Sequence, residues 1–285
     1  MSNLIDTSSL ADALFARQSV RLLDVRWRLD APEGRPAYLE RHIPTAVYVD
    51  LEHELSRPGN PQDGRYPLPD VGELETSARR WGINDGELVV AYDDNDGVAA
   101  ARAWWLLRRR GVDIRVLDGG IRSWIGAGLP LQTGDFVPRP GNVRLANVDP
   151  GTVTLSETAR APHLGHLVDA RAPHHYRGRV QGQDPYAGHI PGAVNIPTVA
   201  HIGPDGTLRH PELIRQTLRS AGIDDDRPVV LYCGAGIASA LSALAFAEAG
   251  IETRVFPGSW SQWSRTPGVP VAVGAAPGDL FSREL

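Results

Sequence analysis

The residues with the clearest chemical potential lie in one short stretch of the chain. Val229 to Tyr232 form an apolar run typical of a buried strand, small residues follow, and an alanine-rich helix begins near Ala238. The only cysteine, Cys233, is the first residue of the intervening loop. A lone cysteine is more commonly a small buried hydrophobe, but the glycines here favour a reactive thiol.

The loop after Cys233 can supply positive charge without a cationic side chain. Backbone N–H groups of small residues can converge on one point, and the following helix adds the positive end of its dipole. These donors would stabilise a thiolate, so we predict Cys233 as a nucleophile. The predicted anion cradle consists of Gly234, Ala235, Gly236, Ile237, Ala238 and Ser239.

Composition and charge argue against several other classes of protein. Hydrophobic residues make up 42% and charged residues 22% of the chain, as in ordinary globular proteins, and the net charge of −5 offers no basic footprint for nucleic acid. No apolar run approaches the ~20 residues that span a bilayer. The N-terminus carries Asp6 and Asp12 and does not resemble a signal peptide, so we expect a cytoplasmic protein without membrane contact.

Cysteine and histidine usage also argues against metals and disulfides. One cysteine can form neither an intramolecular disulfide nor a thiolate zinc cage. The nine histidines, including the adjacent His174 and His175, lack the spacing of a metal site. We therefore predict neither a metal nor a cofactor.

Four landmarks occur twice in the same order, which indicates a duplication. Members of each pair lie 139 to 147 residues apart. The pairs are the Asp-x-Arg segments at Asp24 and Asp169, the His-Ile-Pro turns at His42 and His189, the strand ends at Asp93 and Cys233, and the segments ending at Trp124 and Trp263. The chain is therefore predicted to contain two related domains.

Each half alternates short apolar strands with helices, which predicts an α/β fold with mostly parallel sheets flanked by helices. In the first half, the predicted strands are 20–25, 47–49, 88–92 and 114–117, and the predicted helices are 8–17, 74–81 and 99–110. A proline-rich stretch without helical periodicity ends at Pro150. We place an N-terminal domain at 1–135, a linker at 136–150 and a C-terminal domain at 151–285.

The repeated Asp-x-Arg and His-Ile-Pro-x-Ala segments, the Gly-Ser-Trp-Ser-Gln-Trp segment and the single cysteine loop together resemble the tandem rhodanese-type sulfurtransferases. These are the thiosulfate and 3-mercaptopyruvate sulfurtransferases, and the resemblance covers nearly the whole chain. It implies two tandem rhodanese-like domains, of which the first is inactive because Asp93 stands in place of the cysteine. It also implies double displacement, in which Cys233 takes sulfane sulfur as a persulfide and yields it to an acceptor. The implied partners are a small anionic sulfur donor and, as acceptor, cyanide, a small thiol or a thioredoxin-like protein.

The loop sequence fits neither subtype of that family fully. The mercaptopyruvate type reads Cys-Gly-Ser-Gly-Val-Thr-Ala and the thiosulfate type Cys-Arg-Lys-Gly-Val-Thr-Ala, whereas this loop reads Cys-Gly-Ala-Gly-Ile-Ala-Ser. Gly234 and the lack of a loop cation favour the mercaptopyruvate type. Ala235 and Ala238, however, lack the hydroxyls of that type, and Ser239 is the one hydroxyl that could compensate.

Four further residues are candidates for binding the donor. The family carries arginines before the second His-Ile-Pro turn, which makes Arg177 and Arg179 candidates, while His175 stands where an arginine is common. A histidine there would make donor binding dependent on pH. His42 matches a histidine near the active site of the mercaptopyruvate enzymes, although His189 repeats it and both residues could simply brace a turn.

Two other functions are possible for a cysteine in such a loop. A phosphatase of the Cys-x5-Arg type needs an arginine six residues after the cysteine, but position 239 is a serine. A non-catalytic rhodanese-like binding module, or a relay that passes persulfide to a protein, is favoured by the loss of the loop hydroxyl at Ala235. Persulfide formation on mixing with a donor distinguishes an enzyme or relay from a binding module.

Overall fold

The structure is a computed structural model that describes residues 2–149, 151–180, 182–224 and 226–278. The chain divides into two compact units, and each unit includes a short segment from the other half of the sequence. Unit 1 comprises Met1–Arg57, Leu68–Pro150 and Ile202–Leu208, and unit 2 comprises Pro58–Pro67, Gly151–His201 and Arg209–Leu285.

Over its described residues, unit 1 is built on a five-stranded parallel sheet with the strand order β1-β5-β4-β2-β3. The strands are β1 (Leu4–Ile5), β2 (Val20–Asp24), β3 (Val47–Tyr48), β4 (Leu88–Tyr92) and β5 (Ile114–Leu117). The helices between them are α1 (Thr7–Phe15), α2 (Arg35–Glu40), α3 (Leu51–Glu54), α4 (Val71–Arg80), α5 (Val98–Arg108) and α6 (Gly120–Gly126). Residues of β4 are almost entirely buried, as expected for a central parallel strand covered on both faces.

Unit 2 repeats this plan with a four-stranded parallel sheet over its described residues, in the order β7-β6-β8-β9. The strands are β6 (His166–Asp169), β7 (Val194–Asn195), β8 (Val229–Tyr232) and β9 (Thr253–Val255). The helices are α7 (Leu155–Leu164), α8 (Pro173–Tyr176), α9 (Pro211–Ser220), α10 (Ala238–Glu248) and α11 (Ser259–Trp263), with 3-10 turns at Pro61–Asp63 and Thr198–His201. Leu167, Tyr232 and Trp260 belong to its hydrophobic core.

The predicted α/β fold with mostly parallel sheets is confirmed, and most elements lie where the sequence pattern placed them. β4 and β5 have their predicted bounds, and α10 begins at the predicted Ala238. Helix α4 begins three residues before its predicted start, at Val71, because Asp70 and Glu73 form a capping box there. The two-residue edge strand β1 was not predicted.

The stretch 136–149 contains no helix or strand and packs along unit 1. The amide of Gly141 donates to the carbonyl of Arg79, and the amide of Val143 donates to that of Ile83. A side chain at Gly141 would lie 1.9 Å from the carbonyl oxygen of Ile83, so only glycine permits this close approach. These contacts satisfy backbone groups that a free linker would leave to water.

Candidate active site

The reactive-thiol candidate lies at the carboxyl end of a central strand. β8 pairs with β6 on one side and β9 on the other, and Cys233 follows its last residue, Tyr232. Five residues after Cys233 the chain enters α10, which is eleven residues long and mostly buried. The loop 233–237 therefore lies at the edge of the sheet where α/β proteins bind ligands, beside the positive end of a helix.

One backbone amide of the loop already points at the sulfur. The N–H of Gly236 donates to Cys233 Sγ over an N···S distance of 3.1 Å, and the cysteine is only 2% exposed. Gly236 has a φ of +77°, and a side chain there would lie 2.2 Å from the Pro257 carbonyl oxygen. Glycine is therefore required for the turn that brings this donor to the thiol.

A serine from α11 completes the surroundings of the cysteine. Ser259 Oγ accepts the backbone N–H of Cys233 at 3.1 Å and donates to the Phe256 carbonyl oxygen at 2.9 Å. The same oxygen lies 4.0 Å from Cys233 Sγ. Ser239, by contrast, is buried, and its hydroxyl makes no hydrogen bond among the described residues. The hydroxyl that hydrogen-bonds to the cysteine therefore comes from α11, outside the loop.

The matching loop of unit 1 shows how this backbone holds an anion. The carboxylate of Asp93 accepts four backbone N–H groups at 2.8 to 2.9 Å. The donors are Asn95, Gly97, Ala99 and Ala100. Burial raises the pKa of this carboxyl, and the four hydrogen bonds oppose that shift. Asp96 and Gly236, each three residues after the central side chain, both have positive φ, at +58° and +77°.

A cation that the sequence reasoning missed lies beside the cysteine loop. Arg65, in the segment Pro58–Pro67 of unit 2, has its Nη2 3.4 Å from the position that a Cβ on Gly234 would occupy. Its Nη1 pairs with Asp184, which also accepts from Arg265 Nη1 at 2.6 Å. Arg65 lies 119 residues before Asp184, so no local pattern could have predicted the pairing. A weaker repeat does mark this segment, because Asp63-Gly64 recurs as Asp205-Gly206, 142 residues later.

Of the predicted donor-binding residues, Arg177 and Arg179 are exposed, and neither forms an ion pair within the described part of the chain. Two buried carboxylates of the same unit pair with other arginines: Asp169 with Arg171, and Asp184 with Arg65 and Arg265. The two arginines therefore remain available to an external anion.

The two histidines predicted to bind the donor, His175 and His42, are less exposed than the two arginines. His175 is half-buried, and burial, together with the charges of His174 and Arg171, lowers its pKa. His42 lies in unit 1, fully buried and stacked on Tyr38, with its Nδ1 2.9 Å from the Tyr38 carbonyl oxygen. His189 stacks on Tyr176 in the same way in unit 2. The contacts of His42 are therefore those of a residue that braces a turn.

No helix among the described residues is long and apolar enough to cross a membrane. Within the same residues, no group of three His, Cys, Asp or Glu side chains is placed to hold a metal ion. The groups that the structure places at the site are the Cys233 thiol, backbone N–H groups, the Ser259 hydroxyl and the Arg65 guanidinium.

Comparison with known proteins finds relatives and a solved structure that match more than 90% of this chain. The family model described as Rhodanese-like domain matches residues 7–127 and 154–266. The chain is 42% identical to "Putative thiosulfate sulfurtransferase SseB" of Mycobacterium tuberculosis, over 96% of this chain and 98% of the relative. It is 39% identical to "Probable 3-mercaptopyruvate sulfurtransferase" of Pseudomonas aeruginosa, over 96% and 99%. The crystal structure of SseA from Escherichia coli, a 3-mercaptopyruvate sulfotransferase, superposes with a TM-score of 0.80 at 26% identity, covering 91% of this chain and 99% of that one.

Proposed function

The chain belongs to the family of rhodanese-like proteins and is a sulfurtransferase, and from that premise we propose that Cys233 carries sulfur as a persulfide between a small anionic donor and a nucleophilic acceptor. Catalysis is assigned to the C-terminal domain, 151–285. The N-terminal domain, 1–135, holds Asp93 in the equivalent loop and has no thiol. A cytoplasmic setting suits a single thiol that must stay reduced between turnovers.

The observation that carries the proposal is the pair of equivalent loops. In unit 1 the loop surrounds the carboxylate of Asp93 with four N–H donors. In unit 2 Cys233 occupies the equivalent position, and its sulfur accepts a hydrogen bond from the N–H of Gly236. A persulfide places its negative charge on a terminal sulfur one bond beyond Sγ. The amides after Cys233 are the groups available to stabilise that charge.

In the first half-reaction the Cys233 thiolate attacks the transferable sulfur of the donor. A new S–S bond forms on Sγ while the bond between that sulfur and the rest of the donor breaks. With thiosulfate the leaving group is sulfite, which takes the bonding electron pair. With 3-mercaptopyruvate the C–S bond breaks, the electron pair remains on carbon as an enolate, and the proton of the donor thiol ends on that carbon to give pyruvate. Covalent carriage divides one difficult transfer into two easier steps.

In the second half-reaction the acceptor attacks the terminal sulfur of the persulfide. The S–S bond breaks, the electron pair returns to Cys233 as a thiolate, and cyanide leaves as thiocyanate. A small thiol or a thioredoxin-like protein would leave as a persulfide by the same step. No redox cofactor is needed, because every bond that breaks is matched by one that forms.

Among donors we favour a 3-mercaptopyruvate-type compound, with thiosulfate as the alternative. The loop itself carries no cation for a dianion, and Gly234 matches the mercaptopyruvate-type loop. The names of similar proteins include both donors. Ala235 lacks the hydroxyl of the mercaptopyruvate-type loop, and a different hydroxyl, Ser259 Oγ, lies 4.0 Å from the thiol sulfur.

Intact-mass spectrometry tests the proposal directly. Reduced protein is incubated separately with thiosulfate and with 3-mercaptopyruvate, and a gain of one sulfur that cyanide removes is expected with at least one donor. The Cys233→Ser variant is expected to show no gain and to lose at least about 99.9% of the transfer rate with an unchanged circular-dichroism spectrum. Undiminished transfer in that variant contradicts the mechanism. Absence of any gain in the reduced wild-type protein would favour a binding module.

A further inference from the structure

The stretch 138–146 lies in a groove of unit 1, which it contacts through its backbone. Alternate residues, Gly141, Val143 and Leu145, donate their backbone N–H groups to the groove. The acceptors are, in that order, the carbonyl oxygens of Arg79 and Ile83 and the carboxylate of Glu75, at 2.7, 3.2 and 2.8 Å. Donors two residues apart are typical of an extended segment that binds along a row of acceptors.

The duplication places an equivalent groove in unit 2. Gly82-Ile83, just after α4, recurs as Gly222-Ile223, just after α9 and 140 residues later. Both glycines have positive φ, at +80° and +75°. The backbone N–H of each isoleucine donates to the carbonyl oxygen five residues earlier, at 3.1 and 3.0 Å. The two helix ends are therefore built in the same way.

The groove of unit 2 is open within the described part of the chain. A side chain at Gly82 would lie 2.8 Å from the Pro138 side chain, whereas a side chain at Gly222 would meet no described atom within 4 Å. A cavity of about 380 Å³ lies at this place. We call it the unit 2 groove, and its lining includes Arg215, Leu218, Arg219, Gly222, Ile223 and Ile251.

The two grooves differ in charge at one equivalent position. Glu75 accepts the N–H of Leu145 in unit 1, and the residue 140 positions after Glu75 is Arg215. The Nε of Arg215 donates to the Ala249 carbonyl oxygen at 2.8 Å, and both Arg215 and Arg219 pair with the single carboxylate of Glu212. One positive charge is left over in this cluster. A guanidinium cannot accept an N–H but binds carboxylates well, so the unit 2 groove favours an acidic segment.

The unit 2 groove lies away from the thiol. Gly222 and Ile223 precede β8, and Ile251 precedes β9, whereas Cys233 follows the last residue of β8. Because β8 and β9 are parallel, their amino ends lie at the edge of the sheet opposite to the one that carries Cys233. A ligand in the unit 2 groove therefore does not cover the thiol.

We propose that the unit 2 groove binds an extended acidic segment of a partner protein, in the way that 138–146 binds in unit 1. The carbonyl oxygens of Arg219 and Ile223 accept alternate N–H groups of that segment, as the equivalent carbonyl oxygens do in unit 1. Arg215 and Arg219 pair with its carboxylates. This inference does not depend on sulfur transfer.

The test uses two synthetic peptides that differ only in charge. The first has the sequence of residues 137–148 of this chain, and the second carries glutamate in place of Arg139 and Arg144. Each is labelled with a fluorophore, and its binding to the full chain is measured by fluorescence anisotropy. We expect the acidic peptide to bind at least about tenfold more tightly than the basic one, with a preference that weakens as salt is added.

Variants of the protein and of the peptide separate the groove from general attraction of charge. Arg215→Glu installs the carboxylate that unit 1 carries and is expected to reverse the preference between the peptides. The matched control is Arg160→Glu, which reverses another exposed arginine of unit 2 and is expected to leave the preference unchanged. An acidic peptide with Gly141→Ala is expected to bind at least about tenfold more weakly, because a Cβ there lies 1.9 Å from the Ile83 carbonyl oxygen in unit 1.

Equal affinity of the wild type for both peptides, or no binding of the acidic peptide at up to about 1 mM, would overturn the proposal. Equal effects of Arg215→Glu and Arg160→Glu would do the same. Arg219→Glu replaces Arg215→Glu if that variant fails to fold. Persulfide formation is expected to be unchanged in these variants, so the result is independent of the proposed function.

Two further measurements ask whether the unit 2 groove has another occupant. A chain that ends at Gly278 lacks its own C-terminal segment, and we expect it to bind the acidic peptide as the full chain does. A tenfold gain in affinity would instead make that segment the occupant and overturn the assignment to a partner. Sedimentation is expected to show the same mass for wild type and Arg215→Glu. A dimer that Arg215→Glu dissociates would make a second copy the occupant, with the same consequence.

Discussion

At the scale of single residues, Cys233 depends on a serine whose backbone adopts a left-handed conformation. Ser259 has a φ of +52°, which costs a non-glycine residue roughly 1 kcal/mol. Gly120 occupies the equivalent position in unit 1, with a φ of +57° and no side chain. The strained side chain thus occurs beside the thiol and not beside Asp93. Since Ser259 Oγ accepts the amide of Cys233, the strain is retained where a hydroxyl is useful.

Comparing Ser259→Ala with Ser259→Gly separates the hydroxyl from the strain. Both variants lose the acceptor for the Cys233 amide, so we expect both to slow persulfide formation by about tenfold. The glycine variant relieves the left-handed strain and is expected to be about 1 kcal/mol more stable than the alanine variant. Mass spectrometry of samples quenched at successive times measures the rate of persulfide formation. Urea unfolding measures the stability. An unchanged rate in both variants would reduce Ser259 to a structural role.

At the scale of elements, the β4–α5 loop of unit 1 is held together by the side chain that replaced the thiol. Asp93 is fully buried and accepts backbone N–H groups from residues two, four, six and seven positions later. A carboxylate has enough acceptor sites for four donors, which no small neutral side chain provides. The first turn of α5 is therefore stabilised by Asp93 in the way an N-cap residue stabilises a helix.

Replacement of Asp93 by alanine is expected to loosen unit 1 at this loop. Four buried N–H groups would lose their acceptor, and we expect a local loss of about 3 kcal/mol or more. Hydrogen exchange read by mass spectrometry should rise in peptides covering 88–110 and stay unchanged in peptides covering 229–248. Asp94→Ala is the control, because it removes only a partly exposed pair with Arg28, worth less than about 1 kcal/mol. Equal exchange in the two variants would contradict the role given to Asp93.

The elements themselves were largely predictable, and the contacts between distant elements were not. An apolar run bounded by turn residues predicted β4 with its observed bounds, since that pattern depends only on neighbours in sequence. Ser259 meets Cys233 across 26 residues, and Arg65 meets Asp184 across 119. Neither contact leaves a periodic signal. The predicted hydroxyl, Ser239, was therefore the one nearest in sequence, while the structure places that of Ser259 beside the sulfur.

At the scale of the whole molecule, the duplication made the two domains predictable from the sequence but not the unit to which each loop segment belongs. Repeated landmarks in each half predicted two related domains of mostly parallel sheet. The structure assigns segment 58–67 to unit 2 and segment 202–208 to unit 1. This assignment could not be predicted, because the sequence of a loop does not indicate which sheet the loop packs against. The one sequence feature shared by the two segments is the repeated Asp-Gly pair, Asp63-Gly64 and Asp205-Gly206. These pairs lie outside the helices and strands from which the duplication was inferred.

Stability of unit 2 is expected to fall in mild acid because of a histidine that catalysis does not use. His201 is fully buried, packs edge-on against Phe246, and has no hydrogen-bond partner for either ring nitrogen among the described residues. Burial, with a smaller contribution from the charge of Arg209, lowers its pKa to about 4 from an ordinary value of 6.5. Between these two values the unfolded chain binds a proton that the folded chain does not. The free energy of unfolding therefore decreases as the pH falls from about 6.5 to about 4, by up to about 3 kcal/mol.

The His201→Leu variant isolates this contribution, because leucine fills a similar volume and does not titrate. Other buried groups, such as His189, whose pKa is lowered mainly by burial, remain in both proteins and cancel in the comparison. Urea unfolding at pH 7.0 and pH 4.5 is expected to show a smaller loss of stability in the variant than in the wild type, by about 2 to 3 kcal/mol. Parallel losses in the two proteins would mean that the ring of His201 is protonated, or reached by water, in the folded state. The fold would then have to open beside Phe246 in acid, and hydrogen exchange in α10 would rise over the same pH range.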